Sequence, residues 1–440
     1  MTLNSESPLE DRLLALFALL GIERAHIAAR GPNDWSGLAL THPEAIASLT
    51  LLCPNGLERE AVREVASRLL ILSGDRGPSY ESIPFDDFTD ARVAILPDYA
   101  PLGWTDIVAE KRDDISEHMF TALAGFSSSL PHTDPSVATE GEIAGITYRV
   151  RGSGPPLVLM PLFLAPSQWE PLIPTLSERF TTITLGGPYL GPVVLLEARG
   201  KTRGYREMLG ALFTELSIKP DDRVLEVGCG SGAVMRCLAE NTDGRTALDG
   251  VDINAYLLAE GRTLARKTGF DDVITTREGS ALALPFPDNH FDVLYSVTVI
   301  EEVDADAMLA EMVRVIKPGG RIGVICRAVD LRWTMNAPVK REIRAKLEAE
   351  GIGSVAERGC ADASLYRRFR EVGLSRIVTF PHLTPFTKTD SDVVDFAVPG
   401  RLDAVTIDEA NQWHAARAKA EEDGSFFIAW PHHCAAGLKP

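Results

Sequence analysis

The carboxyl-terminal half of the chain alternates short apolar runs with longer stretches of helical spacing. The short runs predict buried strands over residues 224–227, 246–251, 292–295 and 322–325. Between them, apolar residues recur every three or four positions and predict helices over residues 235–240, 255–267 and 305–316. Strands and helices in this alternation predict an α/β fold with a doubly wound parallel sheet.

Two segments interrupt the pattern and divide the chain. Residues 127–141 are rich in Ser, Pro, Thr and Asp and fit neither a helical nor a strand period, which predicts a linker. Clustered glycines between residues 186 and 204 mark a second boundary. We therefore expect one α/β domain built from residues 1–126 and 142–195, and another that covers residues 201–440.

Composition and charge exclude several classes of protein. The chain has 62 acidic against 44 basic residues, a net charge of -18, which argues against a nucleic-acid partner because phosphate contacts need basic side chains. Its longest apolar runs are about ten residues long, half the length that a membrane-spanning helix needs, so we expect no membrane partner. The six cysteines form no CxxC or Cys/His grouping, and the amino terminus lacks the basic region of a secretory signal. We expect a cytoplasmic protein with free thiols and no metal.

The sharpest local signal is LEVGCGSG at residues 225–232, where an apolar strand runs directly into three glycines at alternate positions. Glycine suits a tight turn, and it lets a ligand lie against the backbone because no Cβ is in the way. Asp252 ends the next predicted strand, about twenty residues further on, where a carboxylate can accept hydrogen bonds from both hydroxyls of a ribose. Loop and carboxylate together favour a ligand that contains a nucleoside.

Residues 201–440 resemble the class I S-adenosylmethionine-dependent methyltransferases, in particular the small-molecule enzymes similar to ubiquinone and menaquinone C-methyltransferases. The resemblance rests on LEVGCGSG, on LDGVDIN at 248–254, on GSALALPFPDNHFDVLYS at 279–296 and on EMVRVIKPGGRIGVI at 311–325. The closing GSFFIAWPHHCAAGLKP is similar to the last strand pair of that family. The resemblance implies a Rossmann-like sheet of seven strands and S-adenosyl-L-methionine as the cofactor.

The resemblance also implies a set of cofactor-binding residues: Glu226, Gly228, Cys229, Gly230, Gly232, Asp252, Ile253, Ser280, Ala281 and Ser296. Glu226 would position the amino group of the cofactor, Asp252 would hold its ribose, and Ile253 would pack against its adenine. Ser280 stands where the family has an Asp that reads the adenine, so a charged acceptor is replaced by a hydroxyl. Ser296 would face the sulfonium and the acceptor.

Candidates for a general base lie just after the fourth predicted strand. The family often has a His there, whereas this chain reads Ile300-Glu301-Glu302-Val303. Glu301 or Glu302 could take the proton, although a solvated carboxylate at the start of a helix is the simpler expectation. The reaction makes few demands on such a group, because the methyl of a sulfonium is already activated and transfer is an in-line displacement.

The first 195 residues resemble an α/β-hydrolase that has lost its chemistry. The order of the similar segments is inverted. The chain begins with segments similar to the nucleophile-elbow region, the acid strand and the final strand of the hydrolase fold. The segment similar to the start of that fold comes last, as in a permuted domain. The elbow position reads Ala28-Ala29-Arg30-Gly31-Pro32 without a serine, and no histidine occurs between His42 and His118. Asp75 alone cannot activate a nucleophile.

These observations predict an enzyme that transfers a methyl group to a small-molecule acceptor, with the inactive hydrolase-like domain as a scaffold, a lid or the interface of a homodimer. Two alternatives remain. The chain could be a non-catalytic sensor of the cofactor, or a hydrolase whose nucleophile is unrecognised, with Ser36 and Asp75 as the residues to test. The accepting atom cannot be read from the sequence.

Overall fold

The computed structural model describes residues 3 and 7–440, except 32–33, 55–56, 78–79, 81–82, 84–88, 102–104, 127–138, 163–165, 188–189, 191, 350–354 and 403. It divides the chain into two compact units, Met1–Val194 and Leu195–Pro440. Most of the predicted linker lies outside the described residues. Its last two positions, Glu140 and Gly141, belong to a strand.

The first unit contains five described helices and eight strands. The helices are α1 (Leu9–Leu19), α2 (Ser36–Thr41), α3 (Arg59–Val65), α4 (Ile107–Phe126) and α5 (Ile173–Leu176). The strands are β1 (Ala25–Ala29), β2 (Ile46–Leu52), β3 (Leu69–Gly74), β4 (Arg92–Leu96), β5 (Glu140–Ile143), β6 (Ile146–Arg151), β7 (Pro156–Leu159) and β8 (Thr181–Gly186).

These strands form one sheet in the order β4-β3-β2-β1-β7-β8-β6-β5. All neighbours from β4 to β8 are parallel, and β6 runs antiparallel to both β8 and β5. Strands β1, β2 and β3 are buried along their whole length, as expected for parallel strands with both faces covered. The strands that come first in the sequence therefore form one side of the sheet, and those that come last form the other.

The second unit contains α6 (Pro192–Lys201, of which it includes residues 195–201) and nine further described helices. These are α7 (Arg203–Leu216), α8 (Ala233–Asn241), α9 (Ala255–Thr268), α10 (Ala305–Val315), α11 (Arg341–Leu347), α12 (Ser364–Glu371), α13 (Ser391–Ala397), α14 (Pro399–Leu402) and α15 (Ile407–Glu422). Its strands are β9 (Arg223–Val227), β10 (Ala247–Asp252), β11 (Ile274–Glu278), β12 (Phe291–Val297), β13 (Ile316–Arg327), β14 (Thr334–Met335), β15 (Ser375–Thr379), β16 (His382–Thr387) and β17 (Phe427–Leu438).

The sheet of the second unit runs β11-β10-β9-β12-β13-β17-β14, and β15 and β16 also pair with β17. The five strands from β11 to β13 are parallel, and β17 is antiparallel to its neighbours. The predicted strands and helices of this unit are confirmed, but nine described strands replace the expected seven. The difference has two causes. Pro381 separates β15 from β16, which both pair with β17. In addition, the two-residue β14 pairs with Ile428 and Ala429 near the start of β17.

Local sequence explains where the key helices begin. The side chain of Asn254 accepts hydrogen bonds from the backbone N–H groups of Tyr256 and Leu257, which caps the start of α9 directly after β10. Gly269 ends the same helix with a φ of 75°. Each parallel strand of the second unit thus delivers a loop to one edge of the sheet, the edge at which α/β proteins bind ligands. Among the described residues no helix has both the length and the apolar character that a bilayer crossing requires.

Candidate functional site

The glycine loop between β9 and α8 is shaped by backbone conformations that other residues rarely adopt. Gly228, Gly230 and Gly232 have φ angles of 76°, 50° and 73°. A Cβ on Gly228 would lie 2.3 Å from Cγ2 of Val299, so no side chain fits there. The backbone N–H of Gly228 donates to the carbonyl oxygen of Val251 at 2.7 Å, which ties the loop to the end of β10. The first glycine is therefore required both for its φ angle and for its lack of a side chain.

Asp252 lies at the end of β10 and holds the loop in place. Its Oδ2 accepts the backbone N–H of Gly230 at 2.8 Å, and its Oδ1 accepts that of Asn254 at 2.8 Å. Burial raises the pKa of its carboxyl, and the two N–H groups oppose the rise. Each carboxylate oxygen keeps a second lone pair, so two hydroxyl groups can still donate to it. Ile253, the next residue, is 71% exposed and offers an apolar surface beside the carboxylate.

A second exposed apolar side chain lies in the segment after β11. The backbone N–H of Gly279 donates to the carbonyl oxygen of Asp252 at 3.0 Å, which ties the start of this segment to the end of β10. In that segment Ser280 accepts the N–H of Leu282 at 3.1 Å, Ala281 is half-buried, and Leu282 is 42% exposed. Sequence reasoning missed Leu282, although an apolar residue between two small ones in a loop was a readable signal.

Glu226 sits at the end of β9 and is only 2% exposed. The phenol of Tyr295 donates to its Oε2 at 3.0 Å. Burial raises the pKa of the Glu226 carboxyl to about 8 despite that hydrogen bond. Burial and the two nearby carboxylates also raise the pKa of the Cys229 thiol well above its ordinary value. Cys229 therefore stays protonated and lines the loop as a small apolar side chain.

Ser296 lies in the interior of the second unit. This residue is fully buried, and its hydroxyl donates to the carbonyl oxygen of Val227 at 2.8 Å, so it joins β12 to β9. Its neighbour Val297 is also buried. A contact of Ser296 with the cofactor stays a prediction.

Glu301 and Glu302 are not the solvated carboxylates that the sequence suggested. Glu301 is fully buried, and its Oε1 accepts Nε of Arg327 at 3.0 Å. Its Oε2 has no hydrogen-bond partner among the described residues. Glu302 accepts Nη2 of the same arginine at 2.9 Å. Burial raises the pKa of both carboxyls, that of Glu302 to about 7, which is a range in which a carboxyl can accept and return a proton.

The two terminal histidines have separate partners, as the opposite faces of a strand require. Nδ1 of His432 lies 3.0 Å from the hydroxyl of Thr384, and burial lowers the pKa of His432 to about 3. His433 contacts Tyr366 at 2.9 Å through Nδ1 and Asp330 at 2.8 Å through Nε2. Within the described residues no group of three or more His, Cys, Asp or Glu side chains could hold a metal ion.

An aromatic cluster follows the loops beyond β13. The rings of Trp333 and Trp430 have centroids 4.9 Å apart, and those of Phe386 and Trp430 are 4.1 Å apart. The guanidinium of Arg401 lies 3.9 Å from the centre of the Trp333 ring, and Arg401 is 2% exposed. Burial lowers the pKa of Arg401 to about 10.

The strand ends of the first unit look different. Arg30 follows β1, is fully buried, and donates from Nε to the carbonyl oxygen of Cys53 at 3.1 Å. Asp75 follows β3 and accepts the backbone N–H groups of Asp98 and Tyr99 at 2.7 Å and 3.0 Å. These groups satisfy the backbone of the unit itself. A serine and a histidine of this unit do meet, Ser48 Oγ and His26 Nδ1 at 2.7 Å, but they are buried inside β2 and β1 and do not lie at the strand ends.

Comparison with known proteins agrees with this geometry. Residues 225–324 match the family model described as "Methyltransferase domain". The chain is 34% identical over 110 residues to sterol 24-C-methyltransferase ERG6B of Gibberella zeae. This alignment covers 25% of this chain and 28% of that protein. It is 33% identical over 162 residues to 24-methylenesterol C-methyltransferase 2 of Arabidopsis thaliana, covering 36% and 41%. The match therefore spans less than half the length of these relatives.

Among solved structures, the geranyl diphosphate C-methyltransferase of Streptomyces coelicolor A3(2), crystallised with S-adenosyl-L-homocysteine, aligns with a TM-score of 0.32 and 21% identity. That alignment covers 53% of this chain and 76% of the other. The segment from 225 to 324 is therefore similar to a methyltransferase domain.

Proposed function

We propose that the chain transfers a methyl group from S-adenosyl-L-methionine to a largely apolar small-molecule acceptor of the sterol-like class. The observation that carries this proposal is the glycine loop held by Asp252, with the open apolar surface of Ile253 beside it. The match to the methyltransferase model and the names of the sterol methyltransferases support it.

The residues present fit the cofactor. At Gly230 the atom nearest to the position of a Cβ is Cδ1 of Leu196 at 3.4 Å, so the loop backbone there leaves room for the methionine part. The free lone pairs of Asp252 can accept the ribose hydroxyls. Ile253 and Leu282 supply apolar surface for the adenine. The bound cofactor supplies an activated methyl group, and the chain's own residues hold it and exclude water.

Two features of the second unit support the acceptor side of the proposal. Trp333 and Trp430 are only partly buried, so their packed rings can offer aromatic surface to an apolar molecule. Glu301 has one buried oxygen without a partner among the described residues, so it is the better candidate to accept a proton from the acceptor. Arg327 holds Glu301 and Glu302 and keeps them in position.

Titration calorimetry and transfer of a radiolabelled methyl group test the proposal together. We expect micromolar binding of S-adenosyl-L-methionine, and label should pass to sterols in preference to polar acceptors such as catechols. Glu301→Gln should lower the rate about 100-fold or more while the cofactor affinity is kept. Wild-type protein that binds no cofactor would refute the proposal, and binding without transfer to any acceptor would favour the sensor.

For the first unit we propose a permuted hydrolase-like domain without catalytic activity. The strand order supports it: read from β5 through β8 and then from β1 through β4, the sheet follows the hydrolase arrangement in which strands three and four exchange places. Arg30→Ser, at the central position of residues 28–32 where the elbow serine would stand, should give no hydrolysis of p-nitrophenyl acetate above background, because no histidine follows β4 before His118. Turnover by the wild-type chain that is lost in Ser36→Ala would instead favour the hydrolase alternative.

A further inference from the structure

Helix α6 lies across the glycine loop. The side chain of Leu196 is 3.4 Å from where a Cβ on Gly230 would be. The next residue, Glu197, accepts the hydroxyl of Ser231 at 2.8 Å and pairs with Arg236. These contacts fix the end of α6 over the loop that the cofactor's methionine part must approach.

Arg199, on the same stretch of helix, brings a cation to this place. Its guanidinium lies 4.8 Å from the ring centre of Tyr205, near the start of α7. Nε of Arg199 and the phenol oxygen of Tyr205 are both buried, and neither has a hydrogen-bond partner among the described residues. Tyr205 is 1% exposed.

The two unpartnered donors share one buried region with Glu226. Tyr205 and Tyr295 belong to the same cluster of buried residues, and the phenol of Tyr295 donates to Oε2 of Glu226 at 3.0 Å. In agreement with this placement, the charge of Arg199 opposes the rise in the pKa of the Glu226 carboxyl. Glu226, Arg199 and Tyr205 thus form one polar cluster on three different elements.

Buried donors without partners are costly, so the cluster indicates a ligand that completes it. A guanidinium and a phenol side by side suit a carboxylate, which accepts charge-assisted hydrogen bonds. The carboxyl of Glu226 beside them suits a cation. A ligand that carries both a carboxylate and an ammonium group on the same carbon, as the free amino-acid end of a molecule does, would satisfy all three residues.

We propose that Arg199 and Tyr205 bind the carboxylate of the cofactor's methionine end, next to Glu226, which takes its ammonium group. The inference rests on the proposed function and adds the residues that recognise the amino-acid end. It also gives α6 a role in binding, because the contacts of Leu196 and Glu197 with the loop help to hold Arg199 at the cluster.

The test compares three ligands by calorimetry: S-adenosyl-L-methionine, its decarboxylated form and 5′-methylthioadenosine, which lacks the whole amino-acid end. Wild-type protein should bind the first about 10–100-fold more tightly than the second, the range that a lost charge-assisted pair implies. Arg199→Met should reduce that preference to within about threefold, and Tyr205→Phe should reduce it partly. All variants should bind 5′-methylthioadenosine as the wild type does.

Arg203→Met is the matched control. Its side chain is 91% exposed and pairs with Glu207 on the surface of α7, so the preference should be unchanged. Equal affinity of the wild type for the first two ligands would overturn the inference without any variant. A preference that survives in Arg199→Met would also overturn it, and would point to an anionic group of the acceptor as the partner of Arg199. Wild-type protein that binds none of the three ligands would refute the proposed function itself.

Discussion

Both units end a parallel strand with an aspartate that accepts two backbone N–H groups, yet the surroundings of the two aspartates differ. Asp75 binds the backbone that follows β4, and the end of β1, two strands away, is filled by the buried Arg30. Asp252 binds the glycine loop that follows the adjacent strand β9, and the residue after Asp252 is the exposed Ile253. The same edge of the same kind of sheet is closed in one unit and prepared for a ligand in the other. Function here depends on the residues grafted on the fold.

The largest effect should come from a side chain in the glycine loop. Gly228→Val forces a Cβ to within 2.3 Å of Val299 at a φ of 76°, so we expect the affinity for S-adenosyl-L-methionine to fall at least about 100-fold. Gly31→Ala in the first unit is the control, since the nearest atom to its Cβ is 3.7 Å away, at Asp34. Calorimetry measures both, and wild-type affinity in Gly228→Val would contradict the assignment of the loop.

The two aspartates provide the next comparison. Asp252→Asn removes the charge and one acceptor from the loop, and we expect the cofactor affinity to fall about 10–100-fold. Asp75→Asn should leave that affinity unchanged, because its hydrogen bonds serve only the first unit. Equilibrium dialysis with labelled cofactor measures both variants. An equal loss in both would show that the aspartates act on overall stability and not on a ligand.

A smaller effect should appear with pH. The pKa of Glu226 is raised to about 8 from an ordinary 4.5, so the buried carboxyl is mostly protonated at neutral pH. Its contribution to stability is full below about pH 4.5 and is lost as the pH rises through about 8. Binding an ammonium group needs the ionised form, so cofactor affinity should rise up to about tenfold per unit between about pH 6 and 7.5.

Glu226→Gln should flatten this pH dependence, and isothermal titration across the range is the measurement. Asp75 shows the opposite sign: hydrogen bonds from the Asp98 backbone lower its pKa, so its contribution is present at neutral pH and is lost as the pH falls. A steep pH dependence that persists in Glu226→Gln would assign the titration to another group.

The sequence predicted those parts of the site that are local in the chain. Gly228 and Asp252 stand out because each follows directly on an apolar run, and turns at strand ends have few solutions. The interaction of Glu197 with Ser231 joins residues 34 positions apart, and that of Glu301 with Arg327 joins residues 26 apart. The spacing of apolar residues along the sequence cannot predict pairs that are so far apart in the chain. Ser296 was placed correctly on its strand, but its hydrogen bond to Val227 depends on the neighbouring strand and could not be read.

The pairing of Glu197 with Arg236 also decides where the second unit can be cut from the chain. Their side chains are 15% and 7% exposed, so each neutralises the other largely out of water. A fragment that starts at Lys201, as the glycine pattern alone would suggest, leaves the arginine buried without its counter-charge, a defect that typically costs about 3–5 kcal/mol. Expression trials of an isolated catalytic half should therefore keep every residue from Leu195 onward.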